Sequence, residues 1–124
     1  MYFTQQAYRN YLKYGRKDWA AATQIVMADY YLRYDSLAKA KQALDEYRNN
    51  SGFFESNGNI LLGYGIFYSY IGEYYEKTSR LDSALFYYRK LLNCSLGDIM
   101  KLESGYKGLM SVYAKMHKVD SVVK

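Results

Sequence analysis

The chain has 124 residues, of which 50% are apolar and 19% aromatic, so it can bury the core of a small folded domain. No stretch reaches the roughly 18 uncharged apolar residues of a membrane-spanning helix, and the basic residues near the start are untypical of a signal peptide. The single cysteine, Cys94, excludes an internal disulfide and a multi-cysteine zinc site, and the single histidine, His117, argues against a histidine-based metal centre or dyad.

The net charge of +5 is concentrated at one end of the chain. Residues 1–88 carry 10 basic and 9 acidic side chains, whereas residues 89–124 carry 7 and 3. A mildly basic end can attract an anionic partner, although solubility explains such an excess more often.

Six helices and a final fragment are predicted in chain order. Apolar residues recur at three- and four-residue intervals, sustained strand alternation is absent, and the chain contains no proline. Gly15 is expected to end the first helix, Asp18 to cap the second, and Ser79 to cap the fifth. The predicted helices begin near residues 2, 18, 35, 60, 79 and 98, and the fragment begins near Val119.

An internal repeat decides the predicted fold. A tyrosine is followed nine residues later by a small or β-branched residue in three places: Tyr31 and Ala40, Tyr75 and Ala84, and Tyr113 and Val122. The middle copy has the pattern Tyr68-x2-Ile71-Gly72-x2-Tyr75, then eight residues, then Ala84-x3-Tyr88. This pattern resembles the tetratricopeptide repeat (TPR), whose signature is W-x2-L-G-x2-Y followed by A-x3-F.

The resemblance implies an all-α fold in which antiparallel helical hairpins stack as a right-handed TPR-like superhelix of about three repeats. The first copy departs from the signature at Gln24, which replaces the bulky aromatic residue, and the third departs at Met110 and Val122. A helical array without repeat symmetry remains an alternative. The expected divisions of a single domain over 1–124 are an orphan second helix (1–15), two repeats (18–50 and 58–94) and a truncated repeat (97–124).

Small and aromatic residues have complementary roles in such hairpins. Gly72 and Ala84 let two helix axes approach closely, and tyrosines fill the spaces between helices. The adjacent aromatics Phe53 and Phe54 either tuck beneath their loop or offer a docking surface. The tyrosines expected at packing positions are 11, 14, 31, 47, 68, 75, 88, 106 and 113.

The resemblance also implies a concave groove lined by the first helix of each repeat. Ile25, Asp29 and Glu73 differ from the basic and amide residues with which some family members bind chaperone carboxylates, so that subclass is rejected. The candidate partner-binding groove consists of Asp29, Arg33, Tyr70, Glu73, Lys77, Lys107, Ser111 and Lys115.

The leading hypothesis is a non-catalytic scaffold that binds a protein or peptide in this groove, without cofactor or metal. Its Asp-Ser turns and tyrosine-rich helices are similar to sensor segments of some bacterial regulators, which leaves a cytoplasmic or a periplasmic location open. The alternative is a repeat module that binds RNA or another anionic ligand. An enzyme is the weakest hypothesis, because no phosphate loop or nucleophile–base pair is recognisable. Self-association is expected through Val112, Met116 and Val119.

Overall fold

The computed structural model describes residues 2–61, 64–94 and 98–123, with side chains described within 4–61, 64–94 and 98–118. This described part is all-helical apart from one isolated β-bridge, as predicted. None of its helices is long and apolar enough to cross a membrane. The helices are α1 (Tyr2–Lys13), α2 (Lys17–Arg33), α3 (Leu37–Asn50), α4 (Ile66–Lys77), α5 (Leu81–Asn93) and α6 (Ile99–Val123).

The chain divides into two compact units, Met1–Leu61 (unit 1) and Leu62–Lys124 (unit 2). In unit 1, α1 and α3 both pack against α2. In unit 2, α5 packs against α4 and α6, and α4 also contacts α6. Unit 1 buries Ala28, Leu32, Ala40, Leu44 and Tyr47 at its core.

Three helix ends share one turn geometry. Gly15, Asp35 and Ser79 adopt positive φ angles of 73°, 56° and 62°. The amide of the next residue donates a hydrogen bond to a carbonyl five residues back, which is a tyrosine each time and defines a Schellman-type helix end. Gly15 therefore ends α1 as predicted. The predicted caps were wrong: Asp18 lies within the first turn of α2, and Ser79 belongs to the end of α4.

The segment between α3 and α4 does not continue the helical pattern. Ile60 was expected to begin a helix, but it forms an antiparallel bridge with Phe54, and α4 begins only at Ile66. Glycines at 63 and 65 disfavour an earlier helix start. The rings of Phe53 and Phe54 both make edge contacts with Tyr47, at centroid distances of 6.1 and 6.2 Å. Of the two alternatives for these aromatics, the contacts favour the tucked arrangement, in which both rings are partly buried.

The core of unit 2 is organised around Tyr88. Its ring lies between two helical glycines: a Cβ built on Gly72 would lie 2.8 Å from the ring, and one built on Gly108 would lie 2.5 Å from it. Ala84 and Val112 are fully buried in the same cluster. The predicted close approach at Gly72 is therefore present, and the group that fills it is the phenol ring of α5.

Helix α6 differs from the prediction in its length and in the face that it buries. It runs without a break through Val119, where a separate fragment was expected, because its last turns contain neither glycine nor proline. Val112 was expected to be exposed, but it is fully buried against α5, and Met116 packs on the same cluster. The side chain of Val119 lies outside the described residues.

The nine tyrosines expected at packing positions differ in how far they are buried. Tyr31, Tyr47, Tyr68 and Tyr88 are buried, and three others are exposed; the remaining two, Tyr11 and Tyr75, are intermediate. Val112 and the two glycines of α6 face α5, which leaves Tyr106 exposed, whereas the half-exposed Tyr113 accepts a hydrogen bond at its hydroxyl from Arg89 of α5 at 2.8 Å. The exposed tyrosines are Tyr14, Tyr106 and Tyr113.

Candidate functional site

A cleft of about 360 Å³ lies over α4 and α6 in unit 2. Its walls carry five of the residues expected in the groove: Glu73, Lys77, Lys107, Ser111 and Lys115. Helix periodicity explains this, because these residues follow one another at four-residue steps along each helix. Ser69 of α4, Ser104 and Gly108 of α6, and two residues discussed below complete the lining.

The other three predicted groove residues do not line this cleft. Tyr70 is half-buried on α4, outside the cleft lining. Asp29 and Arg33 belong to α2 of unit 1, where their side chains form an exposed ion pair with an N–O distance of 3.4 Å. A single groove containing all eight residues therefore stays a prediction.

Glu76 is the centre of a hydrogen-bond network at the base of the cleft. Tyr88 donates its hydroxyl to Oε1 of Glu76 at 3.0 Å. Two donors from α6, Ser111 Oγ and Lys115 Nζ, reach Oε2 at 2.5 and 2.6 Å. Only 10% of the Glu76 side chain is exposed, compared with 48% for Lys115. One carboxylate thus joins α4, α5 and α6.

The network changes the acidity of Glu76. Burial acts to raise its pKa, but the hydrogen bonds from Lys115, Ser111 and Tyr88 and the nearby lysine charge together outweigh this effect. The pKa of Glu76 therefore lies below its ordinary value. The lowered pKa favours the ionised carboxylate, which is the form that accepts all three of these hydrogen bonds.

Glu76 and Tyr88 were absent from the predicted groove, although a signal existed. Aligning the two hairpins on Ala40 and Ala84 places Glu76 at the position of Leu32, and Tyr88 at that of Leu44. Two apolar positions of the first copy thus become polar together in the second. A paired change of this kind indicates that the two side chains meet.

The cleft presents both signs of charge. Glu73 and Glu76 accompany Lys77, Lys107 and Lys115 along its walls. Lys107 also forms an ion pair of 2.8 Å with Glu103, one turn earlier on α6, which raises the pKa of Lys107. Such a surface is suited to a ligand that itself carries both charged and neutral polar groups.

The part of the chain that the structure describes contains no group of three or more His, Cys, Asp or Glu side chains placed to hold a metal ion. Comparison of the chain with protein-family models, curated proteins and solved structures gave no match.

Proposed function

We propose that the chain is a non-catalytic helical-repeat module of the TPR type that binds an extended peptide in the cleft over α4 and α6. The repeated Schellman-type ends at Asp35 and Ser79 support the repeat. The burial of Ala40 and Ala84 also supports the repeat. Each alanine follows by nine residues the tyrosine, Tyr31 or Tyr75, whose carbonyl accepts the hydrogen bond of the Schellman-type turn.

The single observation that carries the binding proposal is the lining of the cleft. Five residues selected from repeat position alone, on two helices about 30 residues apart in sequence, surround one space. Three serines and charges of both signs offer hydrogen bonds to a peptide backbone and to its side chains. The tight network below gives the cleft a preorganised floor, which lowers the ordering cost of binding.

Peptide selection on the intact chain tests this proposal. Peptides that bind the wild-type chain are expected to lose about fivefold or more in affinity with Lys107→Glu, because the charge of the cleft wall reverses. Lys17→Glu is the matched control, since it makes the same charge change at an exposed position in the first turn of α2. Equal losses in both variants, or no loss in either, would contradict binding in the cleft.

The Tyr70→Ala variant tests whether the bound peptide extends beyond the cleft. A peptide that also covers this half-buried tyrosine loses affinity in the variant, whereas a peptide confined to the cleft does not. The helical content measured by circular dichroism should stay at the wild-type level in Tyr70→Ala and in Lys107→Glu.

The second candidate function is binding of RNA or another anionic ligand, and the three lysines of the cleft favour it. Glu73 and Glu76 on the same walls oppose it. Retention on heparin at about 0.3 M salt, lost in Lys107→Glu, would support the anionic ligand over the peptide.

We also propose that the chain is part of a bacterial regulator and that it can self-associate. Val112, one of the residues first expected at the self-association contact, is buried. We therefore assign this contact to the exposed face of α6 that carries Ile99, Tyr106 and Met110. Ile99 is 80% exposed and Met110 is 71% exposed. These residues follow one another at seven- and four-residue intervals, so they form one stripe.

A further inference from the structure

A second recess lies in unit 1, and its lining shares no residue with that of the α4–α6 cleft. Helices α1 and α3 each pack against α2, but their described residues do not pack against each other. The gap between them is a pocket of about 180 Å³. Its apolar wall includes Met27, and the rest of its lining is mainly polar.

The donors of the glutamine side chains in this pocket are directed at acceptors within the protein. Gln24 Nε2 donates to Oε2 of Glu46, and Gln42 Nε2 donates to Oε1 of the same carboxylate at 3.4 Å. Gln5 Nε2 donates to the hydroxyl of Tyr31 at 3.1 Å. The carboxylate of Glu46 and the amide carbonyl oxygens offer acceptors to a ligand, and Lys39 and the hydroxyl of Tyr31 contribute donors to the same lining.

One of these oxygens lacks a partner although it is buried. Gln24 is 1% exposed, and its Oε1 accepts no hydrogen bond from any described residue. A buried amide oxygen without a donor is unfavourable because it loses its hydration without a replacement, so a bound donor would remove this penalty. The matching position in the second hairpin holds Tyr68, which makes the glutamine a particular feature of unit 1.

We propose that this pocket binds the guanidinium group of an arginine side chain on a peptide or protein partner. A guanidinium has five N–H donors in one plane and no acceptor, which matches a carboxylate beside an unpartnered amide oxygen. It is also more weakly hydrated than an ammonium group, so it enters a half-enclosed pocket at lower cost. Glu46 supplies the negative charge, and the side chain of Met27 packs against the aliphatic stem.

Lys39 sets a limit on the affinity. It also lines the pocket, and its ammonium group lies 5.8 Å from the centre of the Tyr31 ring. A cation there repels a guanidinium, so removal of this charge should strengthen binding. A gain of affinity is a result that damage to the fold cannot produce.

The test is an NMR titration of the intact chain with N-acetyl-L-argininamide. The side-chain amide signals of Gln24 and Gln42 are expected to shift in a saturable way, and the lysine analogue and the uncharged citrulline analogue should bind at least about tenfold more weakly. Glu46→Gln should weaken binding by about tenfold, whereas Lys39→Gln should strengthen it severalfold.

Asp45→Asn is the matched control, because it also removes one carboxylate from α3 but at a residue that pairs with Lys41 outside the pocket. It should leave binding unchanged. The proposal is overturned if the arginine derivative causes no saturable shift, if the citrulline analogue binds equally well, or if Asp45→Asn weakens binding as much as Glu46→Gln. Tighter binding of free arginine than of the blocked derivative would also overturn it, since that favours a small metabolite. None of these outcomes depends on whether the α4–α6 cleft binds a peptide.

Discussion

The hydroxyl of Tyr88 donates a hydrogen bond to the carboxylate of Glu76 across the α4–α5 hairpin. The matching positions of the first hairpin hold Leu44 and Leu32, which are both fully buried. The same hairpin pattern is thus closed by apolar residues in unit 1 and by a hydrogen-bonded pair in unit 2. The polar pair has a consequence that two leucines could not have, because it lets α6 attach through Ser111 and Lys115.

Substitution of either glycine beside Tyr88 should destabilise unit 2. Alanine normally stabilises a helix interior by up to about 1 kcal/mol relative to glycine. Here the added methyl group would overlap the ring, and overpacking a core costs about 1–3 kcal/mol. Gly72→Ala and Gly108→Ala are therefore expected to lower the free energy of unfolding, measured by urea denaturation, and the effect at Gly108 should be larger because its approach is closer.

The control for this prediction is the same substitution in a Tyr88→Leu background. Without the ring, each alanine should become neutral or stabilising. If Gly72→Ala and Gly108→Ala cost as much in that background as in the wild-type chain, then their effect does not arise from the ring.

Glu76 should make the stability depend on pH. Its pKa is lowered in the folded chain, so the carboxylate contributes stability that is fully present above its unfolded pKa of about 4.3 and is lost as the pH falls through the folded value. Glu76→Gln should cost about 1–3 kcal/mol at neutral pH, because it removes charge-assisted hydrogen bonds from a buried site. Urea denaturation from about pH 6 to pH 3 should show a shallower decline for this variant.

Glu103→Gln is the matched variant for the pH experiment. The pKa of Glu103 is also lowered, in this case by Lys107, but this pair is exposed to solvent, where an ion pair contributes little. Its pH profile should follow that of the wild-type chain. A profile as flat as that of Glu76→Gln would mean that burial of Glu76 is unimportant.

The left-handed residue at the end of α4 should favour glycine. Ser79 has a φ of 62°, which costs a residue with a side chain about 1 kcal/mol. Ser79→Gly is expected to raise the melting temperature. The same substitution four residues later, Ser83→Gly, lies inside α5. It should lower the melting temperature, because glycine in a helix interior costs about 0.5–1 kcal/mol of stability. Effects of the same sign at both positions would contradict this turn geometry.

The exposed stripe of α6 should control self-association. Met110→Glu places a charge in the middle of it, so the variant should stay monomeric in analytical ultracentrifugation at concentrations where the wild-type chain associates. Val112→Ala should lower stability without this specific effect, because its side chain is buried in the core. A wild-type chain that stays monomeric at all concentrations would contradict the proposal.

The helical class and most helix positions could be predicted because they depend on local periodicity and on residues such as Gly15. The face that α6 buries could not, because it depends on which residues of α5 meet it. Gly108 and Val112 pack with Tyr88 in the core, whereas repeat position had placed Tyr106 and Tyr113 at packing positions, and both are exposed. The late start of α4 reflects pairing between residues 54 and 60, a contact that periodicity does not reveal.

The candidate cleft was predictable only in part for a similar reason. Residues such as Lys107 and Ser111 follow from their spacing on one helix face. Glu76 lies closer to the core, at a position that is apolar in the first hairpin, and it becomes recognisable only when its partner Tyr88 is considered with it.

The contact of the Tyr88 ring with two glycines is the most direct test of unit 2 and of the cleft above it. Nuclear Overhauser effects between the ring protons of Tyr88 and the α-protons of both Gly72 and Gly108 should be strong, since the ring lies against both backbones. Nuclear Overhauser effects to Gly72 alone would show that α6 does not pack on the α4–α5 hairpin. That result would contradict both the cleft and the role of Glu76 in joining the three helices.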